Sequence, residues 1–267
     1  MTGSREARRR LAEEARALRE GLAGDLEAGV AWIPWEGPSP AERLAAPQAA
    51  PARELPAAPA AAAPAKPAPR DLDRRSRERA LAAIAAEVAS CTRCRLCEGR
   101  TNAVPGEGDP EAAVMFVGEG PGEQEDLSGR PFVGRAGQLL RKMIREELGV
   151  DPTAVFIANI VKCRPPGNRA PMADEAAACL PFLRRQVAAV RPRVLVTLGN
   201  PSTQSLLQTT QGITRLRGRP VAKGGFTFFP TYHPSYLLRN PPAEPDGRAD
   251  FRAVRRLLGG DGSFSVQ

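Results

Sequence analysis

The sequence predicts an α/β fold, a three-layer sandwich in which helices flank a central, mainly parallel four-stranded sheet. Two observations predict it. Short segments of strand length alternate along the chain with longer segments whose apolar residues recur at helical spacing. The short segments are almost continuously apolar, which is typical of parallel strands that are covered by helices on both faces.

The predicted elements begin near residue 75. A helix runs up to Cys91, and an apolar strand at 112–118 leads into the glycine-rich loop GEGPGEQED. Residues 136–149 have apolar side chains at helical spacing and end at a glycine, which is a helix stop signal. The remaining segments are predicted, in order, as a strand (155–163), a helix (172–190), a strand (192–200), a helix that begins at 201, a hairpin that returns to His233 (218–235) and a closing helix (249–259).

Polar features follow several of these strands. The GEGPG loop, Asn159 and His233 each follow or end a predicted strand. In parallel sheets, ligands bind at the carboxyl ends of the strands. We therefore expect an active site at this rim of the sheet.

The N-terminal part of the chain differs from the rest in composition. Residues 4–23 predict a highly charged helix, and residues 45–70 are almost purely alanine and proline, which favours an extended linker. Trp32 and Trp35 lie between them and form either a docking motif for a protein partner or a segment of no consequence. The predicted organisation is a disordered arm (1–74), a folded domain (75–260) and a tail (261–267).

Composition limits the class of protein. The 267 residues are 42% hydrophobic and contain no apolar run of about eighteen residues, so no transmembrane helix is predicted. The N-terminus has no apolar segment of the kind found in signal peptides, so we expect a cytoplasmic protein with reduced thiols. The net charge of +8 favours a polyanionic partner such as nucleic acid.

The five cysteines are then better explained as metal ligands than as disulfides. Cys91 and Cys94 form a C-x2-C pair with Cys97 just beyond it, whereas fifteen residues separate Cys163 from Cys179. The wider spacing does not match a zinc knuckle, and the first cluster does not continue as a bacterial ferredoxin motif. The spacing alone leaves iron–sulfur and zinc both open.

Four longer motifs resemble the family 4 uracil-DNA glycosylases, bacterial and archaeal enzymes that carry a 4Fe–4S cluster. The motifs are CTRCRLCEGRTNAVPGEGDP, VMFVGEGPGEQEDLSGRPFVGRAGQLL, NIVKCRPPGNRAP and TYHPSYLLRNP, and they occur in the family's order. The resemblance implies the uracil-DNA glycosylase fold. It also implies an enzyme of base excision repair that flips uracil out of single- or double-stranded DNA and hydrolyses its N-glycosidic bond.

The family's ligand pattern is C-x2-C followed, after a long gap, by a second pair about fifteen residues apart. It implies Cys91, Cys94, Cys163 and Cys179 as the cluster ligands. A Cys94/Cys97 pair stays open as the alternative, although it shifts the register of the motif that follows. We expect the cluster to fasten the N-terminal helix to the loop after the second strand.

The resemblance also implies the base pocket. Phe132 stacks on the flipped base, Asn159 binds the O4 and N3–H edge of uracil, and His233 donates to O2 as negative charge develops there. From the residues alone, a core role is favoured for Phe132, and the side chain of Asn159 can instead pair with backbone. A lone histidine is more often structural, but His233 is the single histidine and stands at a predicted strand end before Pro234, which favours a functional role.

The glycine-rich loop resembles the first glycosylase motif. Its backbone at Glu119, Gly120 and Pro121 is expected to approach the uracil. Position 120 is occupied in many members of the wider superfamily by an aspartate that activates water, so the group that positions water here is left open. Glu125 matches a position that pairs with an asparagine, here Asn168, and is expected to brace the site.

The segment HPSYLLRNP resembles a loop that penetrates the duplex. Leu237 or Leu238 is expected to fill the gap left by the flipped base, with ordinary helix packing as the alternative. Arg164, Arg169 and Arg239 are expected to contact phosphates. We expect the protein to act as a monomer.

Two other functions are compatible with parts of the sequence. The first is a relative that bonds covalently to the abasic sugar through a KRRIH-like insertion, and no such insertion occurs here. The second is a metal-stapled DNA-binding module without catalytic activity. Release of uracil from single-stranded DNA distinguishes this module from the enzyme.

Overall fold

The computed structural model describes residues 73–259. The predicted helix at 4–23, the linker at 45–70, both tryptophans and the tail at 261–267 lie outside these residues. Within the described range, no helix is long and apolar enough to cross a membrane.

Six strands form a single sheet. They are β1 (Glu107–Gly108), β2 (Val114–Gly118), β3 (Phe156–Asn159), β4 (Val194–Leu198), β5 (Val221–Lys223) and β6 (Phe226–Thr231), in the order β1–β3–β2–β4–β6–β5. The four central strands are parallel to one another, as predicted. The short strands β1 and β5 add an antiparallel edge on each side, so the sheet has two strands more than the prediction.

Eight α-helices lie within the described range. They are α1 (Arg74–Ala89), α2 (Glu123–Ser128), α3 (Arg135–Met143), α4 (Ala173–Val190), α5 (Gly199–Leu207), α6 (Ile213–Leu216), α7 (Pro234–Arg239) and α8 (Glu244–Leu257). A π-helical turn, Ile144–Leu148, continues α3 and ends at Gly149, the predicted stop.

The core consists of one hydrophobic cluster on each face of the sheet, which confirms the three-layer prediction. Val114 and Phe116 of β2 point to the face covered by α3 and α8, where the rings of Phe116 and Phe251 stack with centroids 5.4 Å apart. Met115 and Val117 point to the other face, covered by α1 and α4. This alternation along one strand is the period of two expected for a pleated backbone.

The sequence missed the shortest elements. Strand β1 has two residues, one of them a glycine, and helices α2 and α7 have six residues each, too few to show a hydrophobic period. Both helices lie in segments that were predicted as loops. Helix α8 begins at Glu244, five residues before the predicted start at 249, because a proline at its second position, Pro245, is compatible with a first helical turn.

The strand order places a ligand-binding position next to β2. Strand β3, which follows β2 in sequence, pairs on one side of it, and β4 pairs on the other side. The direction of winding therefore reverses at β2. In doubly wound sheets, a crevice opens outside the carboxyl ends of the strands at such a point.

Candidate active site

A cleft of about 510 Å³ lies at this rim. It brings together most of the residues that the sequence predicted for the site, from three separate segments of the chain. Those that line it are Glu119, Gly120, Pro121, Glu125, Phe132, Asn159, Asn168, Arg169, His233 and Arg239.

Asn159 ends β3 and is 1% exposed. Within the described part of the chain, neither its side-chain nitrogen nor its side-chain oxygen has a hydrogen-bond partner. Leaving a buried polar group unpaired costs about 1–3 kcal/mol. The unpaired amide therefore indicates that a ligand supplies both an acceptor and a donor.

Two glycines make room for this arrangement. A Cβ on Gly118, which pairs with Asn159 in the sheet register, would lie 2.4 Å from Asn159 Oδ1 and 2.6 Å from Phe132 Cζ. A Cβ on Gly137 would lie 1.9 Å from the carbonyl oxygen of Phe132. Because no side chain fits at either position, the amide and the ring can approach the end of β2.

Phe132 has a strained backbone at the edge of the cleft. Its φ of 52° lies in the left-handed region, which a bulky residue adopts only when the surroundings hold it there. Its ring centroid is 5.8 Å from that of His233, and the two ring planes are inclined by 36°. The ring is 5% exposed and faces the cleft, so it is both a core residue and a wall of the site.

The protonation of His233 is fixed by its neighbours. The residue caps the N-terminus of α7, and its Nδ1 accepts a hydrogen bond from the backbone N–H of Ser235 at 3.1 Å. The Ser235 hydroxyl, 2.7 Å from the same nitrogen, then also donates to it. Since Nδ1 only accepts, the proton of the neutral ring is on Nε2.

The charge on His233 is disfavoured. Burial, and to a smaller extent the positive charge of Arg239, lowers the pKa of His233 to about 4. The imidazole is therefore neutral across the physiological range. It presents one N–H donor.

Glu125 braces the site, but through partners other than the predicted one. Its carboxylate accepts hydrogen bonds from the amides of Gly122 (3.2 Å), Val133 (2.9 Å) and Gly134 (2.8 Å), which ties the glycine-rich loop to the segment after Phe132. Within the described residues, the expected hydrogen bond between Glu125 and Asn168 does not form. Asn168 Oδ1 instead accepts from Arg164 Nε at 2.8 Å.

The other carboxylates of this loop differ in their surroundings. The Asp126 carboxylate is buried and accepts twice from the amide of Thr101, so its role is structural. Glu123 is exposed and lies 3.6 Å from Arg164. Glu119 lines the cleft, and burial raises the pKa of its carboxyl group.

The predicted DNA contacts are only partly free to reach DNA. Leu237 is 2% exposed and packs in the core beside Gly247, so it is not a wedge and the packing alternative is correct for it. Leu238, by contrast, is 40% exposed. Arg169 makes a bidentate ion pair with the buried Glu175, at 2.8 and 2.6 Å.

Two tyrosines that the sequence analysis did not single out complete the wall near His233. Tyr232 and Tyr236 line the cleft with ring centroids 4.8 Å apart, and Arg217 lies over the Tyr232 ring at 4.9 Å. The motif TYHPSY contains both tyrosines. Both tyrosines flank His233 at a predicted strand end, and this position is the sequence signal that could have identified them as cleft residues.

The five cysteines form a second, separate cluster. All of them line a small void between the end of α1, the segment after β3 and helix α4. Cys163 and Cys179 are each 7% exposed, and burial raises the pKa of the Cys179 thiol to about 11. Among the described residues, no three His, Cys, Asp or Glu side chains are placed to hold a single metal ion.

Hydrogen-bond donors surround these sulfur atoms. Arg100 Nη1 lies 3.2 Å from Cys163 Sγ, and the amide of Lys162 lies 3.3 Å from Cys179 Sγ. Donors of this kind stabilise thiolates over thiols. Arg100 was not singled out from the sequence, because Cys163 lies 63 residues away along the chain.

The cleft thus joins an unpaired amide, an aromatic ring and a neutral imidazole at the switch point of a parallel sheet, where α/β proteins bind their ligands. The family model of the uracil DNA glycosylase superfamily matches residues 105–258, and the chain belongs to that superfamily.

Curated relatives narrow this membership. The chain is 48% identical over 186 residues to the type-4 uracil-DNA glycosylase of Sulfurisphaera tokodaii, an alignment that covers 67% of this chain and 84% of that protein. It is 46% identical to the type-4 enzyme of Saccharolobus solfataricus, in an alignment that covers 67% of this chain and 86% of that protein. It is 47% identical to the type-4 enzyme of Thermotoga maritima, in an alignment that covers 62% of this chain and 86% of that protein. Within the superfamily, the chain belongs with the type-4 uracil-DNA glycosylases.

The tautomer and the low pKa of His233 predict a simple NMR result. The chain contains one histidine, so its ring signals need no assignment by mutagenesis. We expect the Nε2–H tautomer and no titration of the ring between pH 8 and pH 5. A ring that titrates near 6.5, its ordinary value, contradicts the geometry.

The same shift predicts a pH dependence of stability. A histidine whose pKa is lowered on folding contributes stability above pH 6.5, and this is lost as the pH falls towards 4. Between pH 7 and pH 5, the unfolding free energy of the wild type should fall by about 2 kcal/mol more than that of His233→Gln. Equal losses in chemical denaturation would show that the ring is not buried in its neutral form.

Proposed function

We propose that this chain removes uracil from DNA by binding the flipped base in the cleft and hydrolysing its N-glycosidic bond. The observation that carries the proposal is the buried, unpaired amide of Asn159 beside Phe132 and the neutral His233. A donor, an acceptor and an aromatic face within one cleft match what a uracil base presents. The three relatives described above are each named type-4 uracil-DNA glycosylase, which supports the same activity.

Asn159 provides the base specificity. Its amide nitrogen donates to O4 of uracil, and its amide oxygen accepts from N3–H. Cytosine presents the reverse pattern at these two atoms. Bound cytosine would therefore set its amino group against the amide nitrogen of Asn159 and its N3 against the amide oxygen. Each mismatch costs about 1–3 kcal/mol.

His233 and Arg239 stabilise the leaving base. When the glycosidic bond breaks, the bonding electrons stay on uracil as an anion that is shared between N1 and O2. The Nε2–H of the neutral imidazole is placed to donate to O2 as this charge develops. Arg239 lines the same cleft, and its positive charge favours the anion for the same reason that it disfavours a charged His233.

Glu119 is the carboxylate that we assign to ordering the attacking water. Glu125 is bonded to three backbone amides, and Asp126 is buried against Thr101. Glu119 lines the cleft, and its raised pKa gives the carboxylate more of the basicity that accepting a proton from water requires.

The rim of the cleft is the DNA contact surface. Leu238 and Tyr236 are 40% and 39% exposed at the end of the loop that carries His233. An apolar side chain at this place can occupy the space that a flipped nucleotide leaves in the stack. Arg239, the next residue, is exposed and can meet a phosphate.

The cysteine cluster fits a 4Fe–4S group better than a zinc ion. Zinc needs four donors that converge on one atom at about 2.0–2.3 Å, whereas these thiols surround a void without forming a single-ion site within the described residues. A cube of iron and sulfide binds its thiolates at separate corners. Cys91, Cys94, Cys163 and Cys179 would hold it, and the group would cross-link α1, α4 and the segment after β3.

Loss of the His233 donor tests the mechanism. His233→Ala should slow uracil release by roughly 10²–10³-fold, since it removes a donor aimed at developing charge. His233→Gln keeps an N–H and should retain an intermediate rate. The assay is single-turnover release from uracil-containing single-stranded DNA, with circular dichroism as the folding control. Wild-type rates in folded His233→Ala would refute the assigned role.

Exchange of one atom in Asn159 tests the base recognition. Asn159→Asp replaces the donor to O4 by an oxygen that can accept from the amino group of cytosine. Uracil release should fall, and cytosine release should rise relative to it. Asn168→Asp, which keeps an oxygen for Arg164, is the matched control and should leave the ratio unchanged. An unchanged ratio in Asn159→Asp would mean that other groups read the base.

Single cysteine replacements test the cluster. We expect brown, anaerobically purified protein with about four irons per chain. Cys163→Ser and Cys179→Ser should lose the iron, because a deeply placed ligand is removed, whereas Cys97→Ser should keep both colour and activity. Colourless Cys97→Ser protein would favour the Cys94/Cys97 pair, and stoichiometric zinc without iron would overturn the assignment.

A further inference from the structure

An arginine of helix α3 contacts the segment that carries Phe132. Arg141 donates through Nε to the carbonyl oxygen of Phe132 and through Nη2 to that of Pro131, both at 3.3 Å. The same Nη2 donates to Glu107 Oε1 at 2.7 Å. One guanidinium group thus connects two neighbouring carbonyl groups to a carboxylate of strand β1.

The backbone of Phe132 needs a partner of this kind. Its φ of 52° is kept by a bulky residue only where the surroundings hold it. Gly137 leaves room for its carbonyl group, since a Cβ there would lie 1.9 Å from the oxygen. Arg141 follows Gly137 by four residues and so lies on the same face of α3. One helix face therefore gives this carbonyl group both its space and its hydrogen-bond donor.

Two side chains of opposite charge hold residues 131–134. The Glu125 carboxylate accepts from the amides of Val133 and Gly134 at 2.9 and 2.8 Å. Arg141 donates to the two carbonyl groups that precede these residues. An acceptor and a donor thus fix four consecutive residues in one conformation, although none of the four belongs to a helix or a strand.

Glu107 connects Arg141 to the strand that carries the base-reading amide. It lies in β1 and pairs with Ile157 of β3, the strand that ends at Asn159. The Phe132 ring and the Asn159 amide both lie against the end of β2. Arg141 therefore holds the ring in a fixed position relative to the amide.

We propose that Arg141 is a positioning residue for the base, and that it acts by holding the backbone of Phe132 so that the ring can stack on uracil. The inference rests on the proposed function, in which Phe132 stacks on the flipped base. In this role Arg141 contacts the Phe132 backbone and not the base. Its side chain should then matter only while the Phe132 ring is present.

A double-mutant cycle tests this dependence. The four proteins are the wild type, Arg141→Met, Phe132→Ala and the double variant, and the measurement is single-turnover uracil release from single-stranded DNA at subsaturating protein. Arg141→Met should slow release roughly tenfold when Phe132 is present, about the effect of one lost charged hydrogen bond. In the Phe132→Ala background it should slow release by less than about twofold, because residues that act as a unit are not additive.

Arg130→Met is the matched control. Arg130 pairs with the same Glu107 carboxylate, at 2.8 and 3.1 Å, but within the described residues it makes no hydrogen bond to the carbonyl of Phe132. This variant should release uracil at the wild-type rate. A second readout is the affinity for DNA with an abasic site, which has no base to stack on the ring. Arg141→Met should leave this affinity unchanged, whereas general damage to the fold would lower it.

Equal losses with and without Phe132, or wild-type release by folded Arg141→Met, would overturn the inference and leave the proposed function standing. Wild-type protein that releases no uracil would overturn the proposed function as well. If circular dichroism shows that Arg141→Met does not fold, Arg141→Lys provides the second test. It keeps the charge beside Glu107 but lacks the planar fork that reaches two carbonyl groups and a carboxylate. It should slow release roughly threefold only when Phe132 is present, and full activity in folded Arg141→Lys would overturn the inference.

Discussion

The close approach of β2 and β3 at their carboxyl ends is the constraint on which the site depends. Gly118 and Asn159 are paired in the sheet, and the missing side chain at Gly118 leaves the amide of Asn159 buried without a protein partner. An amide that is held in this way cannot turn to water or to backbone. It therefore exists at a cost, and in the proposed function a bound uracil would recover it. Part of the recognition energy would then be stored in the folded protein before DNA arrives, which is the sense of preorganisation.

The elements around this pair hold it from several directions. The Glu125 carboxylate connects the loop after β2 to the segment after Phe132 by three amide hydrogen bonds. Ser235 fixes the ring of His233 by its amide and its hydroxyl. Glu125 and His233 come from the segments that follow strands, and each has specific backbone or side-chain partners. This explains how a site built on loops reaches the positional accuracy that catalysis requires.

The sequence predicted the four parallel strands, the layers and half of the residues that line the cleft, because continuous apolar strands and long motifs are local signals. It did not predict the environment of each residue. Leu237 and Leu238 are neighbours in one motif, and only the packing of α7 against α8 decides that Leu237 is buried and Leu238 exposed. Glu125 was expected to bond to a side chain, but nearby amides with unfilled donors compete for its oxygens. Lys162 lies in a quoted motif, yet nothing in that motif shows that its side chain is buried.

The segment between α1 and β1 explains why such a fold would use a metal cluster. Of residues 91–105, only Leu96 and Val104 are buried. Burying two apolar side chains contributes about 3–6 kcal/mol, whereas ordering the backbone costs about 1–2 kcal/mol for each residue. Hydrophobic packing therefore does not hold this segment in place. Hydrogen bonds from Arg95, Arg100, Thr101 and Asn102 fasten the segment to α4, to the end of α1 and to α2. Ligation of its cysteines by the proposed cluster would add covalent bonds to these contacts, where the segment is too polar to build a core of its own.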